Sequence, residues 1–118
     1  MLRLFILIPS LVILFQTHAE ADDLGSTIQY LLDYVKNSDV VFIRNNHEHT
    51  SHEAAAHMQR KYAHFKNQIR TPEDFIRLTG AKSLMTGKQY KIRTKDGITV
   101  PAQKWLEGIL KEYRDRNR

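Results

Sequence analysis

Residues 90–100 read YKIRTKDGITV, and this stretch decides the fold class. Apolar and polar residues alternate on both sides of a central Lys-Asp-Gly, a pattern that predicts a β-hairpin. A two-residue Asp-Gly turn would mix charged and apolar side chains on one face of the hairpin. A three-residue loop with Gly97 in the left-handed conformation instead pairs Ile92 with Val100 and gives a clean apolar face. We therefore predict the second register.

Helix signals flank the hairpin on both sides. Before it, Thr71 and Pro72 predict the start of a third helix, with threonine as N-cap and proline at the first helical position, and Gly80 ends it. After it, Pro101 begins the last helix, in which apolar residues recur at helical spacing. The predicted buried stripe of this helix is Trp105, Leu106, Ile109, Leu110 and Tyr113.

Two capping boxes lie nearer the N terminus. Ser26 with Gln29 predicts a first helix over residues 26–37, and Thr50 with Glu53 opens the longest helix. The apolar residues of this second helix fall on one stripe at helical spacing, which is typical of a core-facing surface. The stripe consists of Ala55, Met58, Tyr62, Phe65 and Ile69.

Residues 40–43 form a short apolar segment between the first two helices, either extended or a single helical turn. The segment ends at Arg44, because the two asparagines that follow tolerate the left-handed backbone of a turn. Together these elements predict an α+β fold that is mainly α. About four helices pack together, with one β-hairpin between the third and last helices.

The N terminus is typical of a secretion signal. A basic start precedes an apolar run over residues 4–15, which is shorter than the roughly 20 residues that a bilayer-spanning helix needs. A retained anchor is therefore disfavoured. Small residues at Ala19 and Ala21 suit cleavage by a signal peptidase. We predict a signal peptide over 1–19, removed near Ala19 or Ala21, and a single periplasmic domain over 20–118.

Composition narrows the classes of partner. The chain has no cysteine, which excludes disulfides and thiolate zinc sites. Removing the leader leaves 17 of 18 basic residues against 13 acidic ones, a net charge of +4 that favours anionic partners. For an exported protein these are lipid head groups, acidic envelope polymers or another protein, whereas nucleic acid is disfavoured by location. We predict no cofactor and no stable membrane anchor after cleavage.

One cluster carries groups suited to binding. His57, Lys61 and His64 are spaced to share a face of the second helix, and the nearby ammonium disfavours a charged His57 imidazole. The loop over 82–90 offers hydroxyls, a glycine and cations that suit an anionic group, although a plain turn explains the same residues. The predicted ligand-binding residues are Arg44, His57, Lys61, Ser83, Thr86, Gly87 and Tyr90.

Two alternatives stay open beside a non-enzymatic binding domain. The first is a hydrolase or transferase that uses His57 with Ser83 or Tyr90, although no Gly-x-Ser-x-Gly elbow is present. The second is weak metal binding, because neutral imidazole suits zinc, copper or nickel. Its candidate ligands do not share one helix face, so a solvated loop is favoured. These candidates are His47, His49 and His52.

Several short motifs follow one another in a fixed order along the chain. They are Arg44-Asn45, Glu53-Ala54-Ala55 with His57 and Lys61, Thr71-Pro72-Glu73-Asp74-Phe75-Ile76, Thr86-Gly87-Lys88 with Tyr90, and Trp105-Leu106. In this order they resemble the YfeK-like family of small bacterial exported proteins, a domain of unknown function. The resemblance covers about residues 28–110 and implies a bacterial periplasmic address and a single domain, but no activity. Two positions depart from the family pattern, with Asn46 in place of glycine and Leu84 in place of a small hydroxyl residue.

Overall fold

The computed structural model describes Arg3 and residues 18–118, with side chains from residue 23 onward in the second range. The predicted signal peptide, residues 1–19, therefore lies almost entirely outside the described residues. Among the helices in the described ranges, none combines the length and the apolar character that crossing a bilayer requires.

The described part of the chain contains four α-helices and four short β-strands, which confirms an α+β fold that is mainly helical. All strand pairs are antiparallel, and the strand order in the sheet is β2-β1-β3-β4. The elements in chain order are α1 (His18–Asn37), β1 (Val41–Arg44), β2 (His47–His49), α2 (Ser51–Phe65), a 3₁₀ turn (Lys66–Gln68), α3 (Pro72–Thr79), β3 (Lys91–Arg93), β4 (Thr99–Pro101) and α4 (Ala102–Arg116).

The β3–β4 hairpin has the predicted register. Ile92 pairs with Val100, and Gly97 has a φ of +82°, the left-handed conformation that the three-residue loop requires. The backbone N–H of Thr94 donates to the Ile98 carbonyl oxygen at 2.9 Å and closes the loop. Ile92 is fully buried, whereas 58% of Ile98 is exposed, so the buried part of the apolar face is confined to the strands themselves.

A second hairpin, β1–β2, extends the sheet beyond the single predicted hairpin. Asn45 and Asn46 have φ values of 50° and 66°, and the residues on either side of them, Arg44 and His47, are paired. Two consecutive left-handed residues are what a two-residue type I′ turn needs. The short apolar segment is therefore a central strand, and its Phe42 pairs with Ile92 of β3.

The first helix starts earlier than the sequence predicts. It begins at His18, so Ser26 lies inside the helix and the predicted capping box with Gln29 is wrong. Gly25 does not interrupt the helix, since a single glycine costs only about 1 kcal/mol relative to alanine. The predicted apolar stripe is correct, and its members Ile28, Leu31, Leu32 and Val35 are all buried.

The other two capping predictions are confirmed. The hydroxyl oxygens of Thr50 and Thr71 accept hydrogen bonds from the backbone N–H groups of Glu53 and Asp74, each at 3.1 Å. Helix α2 ends before Ile69, the last residue of its predicted stripe, because a 3₁₀ turn follows it. Ile69 is nevertheless 5% exposed and belongs to the core.

One hydrophobic core joins the helices to the sheet. The buried strand residues Phe42 and Ile92 belong to it. The ring of Trp105 from α4 packs edge-on against Phe42, with 5.8 Å between the ring centres. Gly80 allows α3 and α4 to pack closely, because a Cβ atom there would lie 2.5 Å from Cδ1 of Leu106. This packing fixes the end of β1 and one face of α2, where the candidate site lies.

Candidate functional site

Three side chains meet beside α2, where His57 and Lys61 are half-buried and Tyr90 is buried. His57 and Lys61 are one helical turn apart and point to the same side. The Tyr90 hydroxyl lies 3.4 Å from His57 Nε2 and 3.3 Å from Lys61 Nζ. The ammonium also lies 5.1 Å from the centre of the Tyr90 ring, within range of a cation–π contact. Helix α2 and the residue just before β3 thus hold an imidazole, an ammonium and a phenol in contact.

Arg44, at the end of β1, joins this cluster to form what we call the basic cleft. The cleft has two adjoining parts that share the side chains of Arg44, His57, Arg60 and Tyr90. The inner pocket has a volume of about 270 Å³, and the outer hollow about 560 Å³. Apolar residues from three elements line the inner pocket beside the cations, namely Phe42, Ala54, Met58 and Gly80.

The surroundings of His57 keep its imidazole neutral. Burial is the largest cause, and the charges of Arg44 and then Lys61 add to it, so the pKa of His57 falls to about 4. Lys61 acts in the predicted direction, after burial and Arg44. Burial also lowers the pKa of Lys61 and raises the pKa of Tyr90.

These directions of pKa shift indicate which groups of the cluster carry a proton. The ammonium of Lys61 donates to the Tyr90 hydroxyl oxygen and to the carbonyl oxygen of Lys82, the latter at 3.4 Å. The Tyr90 hydroxyl keeps its own proton and forms a hydrogen bond of 3.4 Å with Nε2 of the neutral His57, in which the imidazole tautomer sets the donor. The three hydrogen bonds are long, at 3.3 to 3.4 Å, so each donor retains capacity to turn toward a bound group.

The basic side chains of the cleft form no ion pairs with acidic side chains in the described part of the chain. Within residues 23–118, no carboxylate lies within ion-pair distance of Arg44, Arg60 or Lys61. Glu53 does line the inner pocket, but its carboxylate contacts Nδ1 of His49 at 3.2 Å. This hydrogen bond is the main cause that lowers the pKa of Glu53.

The loop over 82–90 contributes only part of its predicted set. Ser83 lines the outer hollow, but its hydroxyl oxygen accepts from the backbone N–H of Thr86 at 3.3 Å, and the residue is buried. The Thr86 hydroxyl donates to Oδ1 of Asn45 at 2.7 Å and ties the loop to the β1–β2 turn. Neither Thr86 nor Gly87 lines either part of the cleft. These two residues shape the loop, and Tyr90 at its end reaches the cluster.

The three histidines of the metal alternative lie on and beside β2. His47 and His49 belong to the strand, and His52 is exposed in the first turn of α2. Among the residues that the structure describes, no group of three or more His, Asp or Glu side chains is arranged to hold a metal ion. His49 lines the inner pocket instead, through its contact with Glu53.

The sequence did not single out two kinds of cleft residue. Arg60 lines both parts of the cleft, and its position three residues after His57 on a helix was a usable signal. Phe42 and Gly80 line the inner pocket from elements far apart in the sequence, so no local pattern could have connected them.

Comparison with known proteins identifies the family. The sequence model of the family described as "Family of unknown function (DUF5329)" matches residues 22–114. The chain belongs to this family. It is also similar to "Uncharacterized protein YfeK" of Salmonella typhimurium, with 36% identity over 55 residues. That match covers 47% of this chain and spans less than half, 46%, of the relative. The resemblance to YfeK-like proteins is thereby confirmed. No solved structure matches the chain.

Proposed function

We propose that the protein is an exported, non-enzymatic domain that binds a small organic anion in the basic cleft. One observation carries the proposal: the guanidinium of Arg44 lines both parts of a cleft in which no described carboxylate pairs with it. A partly buried guanidinium without a counter-ion favours an anionic ligand, and its planar donors match a carboxylate or a phosphate.

The shape of the cleft supports a ligand with a compact apolar body. The inner pocket is near the lower end of the size range for small-molecule sites, at about 270 Å³. Phe42 and Met58 offer an apolar wall, while Arg44 and Lys61 supply cations near the shared part of the cleft. We expect the apolar body to enter the inner pocket and the anionic group to face the cations.

The proposed address is the bacterial periplasm. It rests on the basic start and short apolar run of residues 4–15, on the small residues near Ala19, and on the family resemblance. Expression of the full chain in a bacterium, followed by mass measurement of the periplasmic form, tests it. A mass that begins at residue 20 or 22 is expected, and a protein that retains Met1 would overturn the address.

Binding is preferred to hydrolase or transferase chemistry because the available hydroxyls are poorly activated. The Tyr90 hydroxyl lies 3.4 Å from His57 Nε2, but burial raises the pKa of Tyr90 and disfavours the nucleophilic phenolate. The hydroxyl of Ser83 is engaged with the loop backbone. Turnover of a p-nitrophenyl ester that is lost in both His57→Gln and Tyr90→Phe would favour the enzyme instead.

The binding proposal is tested by titrating the protein with benzoate and phenyl phosphate, which share a compact ring and differ in their anionic group. Backbone amide signals from Arg44, His57 and Tyr90 are expected to shift on binding. Arg44→Gln removes the charge, and we expect at least a tenfold loss of affinity, in line with one charge-assisted hydrogen bond.

Arg77→Gln is the matched control. Arg77 is exposed on α3, pairs with Asp74 at 3.1 Å and lines neither part of the cleft. We expect its affinity to equal that of the wild type. Equal affinities of Arg44→Gln and wild type, or no binding of either probe, would overturn the proposed anion site.

A further inference from the structure

The loop that borders the outer hollow carries two exposed apolar side chains at its tip. Leu84 is 52% exposed and Met85 is 97% exposed. A single exposed apolar residue is ordinary, but two adjacent ones in one loop form a small apolar tip that the fold leaves in water. We call these two residues the apolar tip.

The loop is held closed by its own hydrogen bonds. The backbone N–H of Ser83 donates to the carbonyl oxygen of Lys88 at 2.9 Å, and the N–H of Gly87 donates to the carbonyl oxygen of Ser83 at 2.8 Å. Gly87 has a φ of +71°, which permits this closure. The bond from Thr86 to Asn45 fastens the loop to the β1–β2 turn. These hydrogen bonds restrain the loop that carries the apolar tip.

Basic residues flank the apolar tip in the sequence and line the hollow beside it. Lys82 and Lys88 lie at the two ends of the loop and are exposed. Leu84 and Met85 line the outer hollow, whose described lining includes three basic side chains of arginine and lysine and no carboxylate. These cations are Arg44, Arg60 and Lys61.

We propose that the apolar tip and its lysines dock the protein reversibly on an anionic phospholipid bilayer. Leu84 and Met85 would enter the boundary between head groups and acyl chains, while Lys82 and Lys88 contact lipid phosphates. An amphipathic tip with a basic rim complements such a surface in both polarity and charge. Two side chains are too few for the roughly 800 Å² per partner of a stable protein interface, which disfavours a protein as the occupant.

Co-sedimentation with vesicles tests the proposal. The protein is expected to bind vesicles that contain phosphatidylglycerol and to bind phosphatidylcholine vesicles at least tenfold more weakly. Leu84→Ser with Met85→Ser is expected to lower the partition coefficient on anionic vesicles about tenfold or more. Lys82→Gln with Lys88→Gln removes two charges and is expected to cost a similar factor, about fivefold per lysine.

Ile98→Ser is the matched control, because Ile98 is also an exposed apolar residue in a loop, at the tip of the β3–β4 hairpin. We expect it to bind anionic vesicles as the wild type does. Wild type and variants are compared in the processed form that begins at residue 20 or 22, with the N terminus checked by mass, because an apolar leader would bind vesicles by itself and mask the loop. Circular dichroism checks that each variant is folded.

A label on the loop reports docking directly. The chain has no cysteine, so Met85→Cys supplies a unique site for an environment-sensitive fluorophore. Its emission should shift to the blue on anionic vesicles, whereas a label at Ile98→Cys should not shift. Equal vesicle binding by the Leu84–Met85 double variant and the wild type, or no spectral shift at position 85, would overturn the proposal.

Two other outcomes would also overturn it in favour of a different occupant. If soluble glycerol phosphate displaces the protein from vesicles, the head group alone is bound in the cleft. If sedimentation analysis shows self-association that the double variant abolishes, the tip contacts a second copy of the chain. Docking does not depend on the small anion proposed above, since the vesicle and benzoate titrations succeed or fail separately.

Discussion

The ammonium nitrogen of Lys61 lies 3.3 Å from the hydroxyl oxygen of Tyr90 and 5.1 Å from the centre of its ring. Tyr90 thus contacts the Lys61 ammonium in two ways, through its hydroxyl oxygen and through its aromatic ring. The Tyr90 hydroxyl oxygen accepts from Lys61, and the same hydroxyl lies 3.4 Å from His57 Nε2, so it links the cation to the imidazole. The cations around His57 and the neutral state of its imidazole therefore belong to the same cluster.

The first prediction concerns the titration of His57. Burial and the charges of Arg44 and Lys61 lower its pKa to about 4, so we expect its ring signals in a two-dimensional NMR titration to stay those of neutral imidazole down to pH 5. A midpoint for His57 near 6.5 would contradict the arrangement.

The same shift makes stability depend on pH with a defined sign. Between pH 6.5 and about pH 4, the unfolded chain binds a proton at His57 that the folded protein does not bind. The free energy of unfolding therefore falls through this group as the pH is lowered through that window, and no loss from it occurs above the window. His57→Gln lacks the effect, so urea denaturation at pH 7 and pH 4.5 should show a smaller decline for the variant than for the wild type.

The second prediction isolates Arg44. Among the neighbouring charges, Arg44 is the largest cause of the lowered His57 pKa. Arg44→Gln removes that charge and should move the His57 titration midpoint upward, toward but not to its ordinary value, because burial remains. Arg77→Gln should leave the midpoint unchanged. An unchanged midpoint in a folded Arg44→Gln protein would show that the guanidinium does not act on His57.

Elements with local chemical signals were predictable from the sequence. Helix α3 begins at Pro72 because Thr71 caps it, and both residues are adjacent in the chain. The β3–β4 register follows from the left-handed Gly97 and from the position of the apolar residues around it. In such elements the decisive interactions join residues that are at most a few positions apart.

Elements that depend on distant partners were not predictable in this way. Strand β2 contains only polar residues, and it is a strand because it pairs with β1 across a turn at Asn45 and Asn46. The asparagine pair was the signal for that hairpin, since both residues tolerate positive φ. The inner pocket likewise needs Phe42 and Gly80, which only the tertiary packing brings beside α2.

The third prediction tests the N-cap of α3. The Thr71 hydroxyl oxygen accepts from the backbone N–H of Asp74, which would otherwise lack a partner within the helix. Thr71→Ala removes the acceptor and should lower the free energy of unfolding by about 1 kcal/mol. Thr71→Ser keeps the hydroxyl and should be near neutral. Chemical denaturation compares the three proteins, and equal stability of the alanine and serine variants would show that the cap contributes nothing.

The last prediction compares two glycines that differ in their surroundings. At Gly80 a new Cβ atom would lie 2.5 Å from Cδ1 of Leu106 and 3.2 Å from Cε of Met58, and all three residues are buried. Gly80→Ala should therefore lower the free energy of unfolding by about 1–3 kcal/mol, the usual cost of overpacking a core.

Gly108 is the matched control, because it lies inside α4 and a Cβ atom there would have no neighbour within 4 Å. Gly108→Ala should raise the free energy of unfolding by about 0.5–1 kcal/mol, since alanine loses less backbone entropy in a helix. In both thermal and urea denaturation, the stability change is expected to be negative for Gly80→Ala and positive for Gly108→Ala. Both Gly80 and Met58 line the inner pocket, so any shift of Met58 that relieves the clash should also weaken benzoate binding. A stabilised Gly80→Ala protein with unchanged binding would contradict the close packing of α3 against α4.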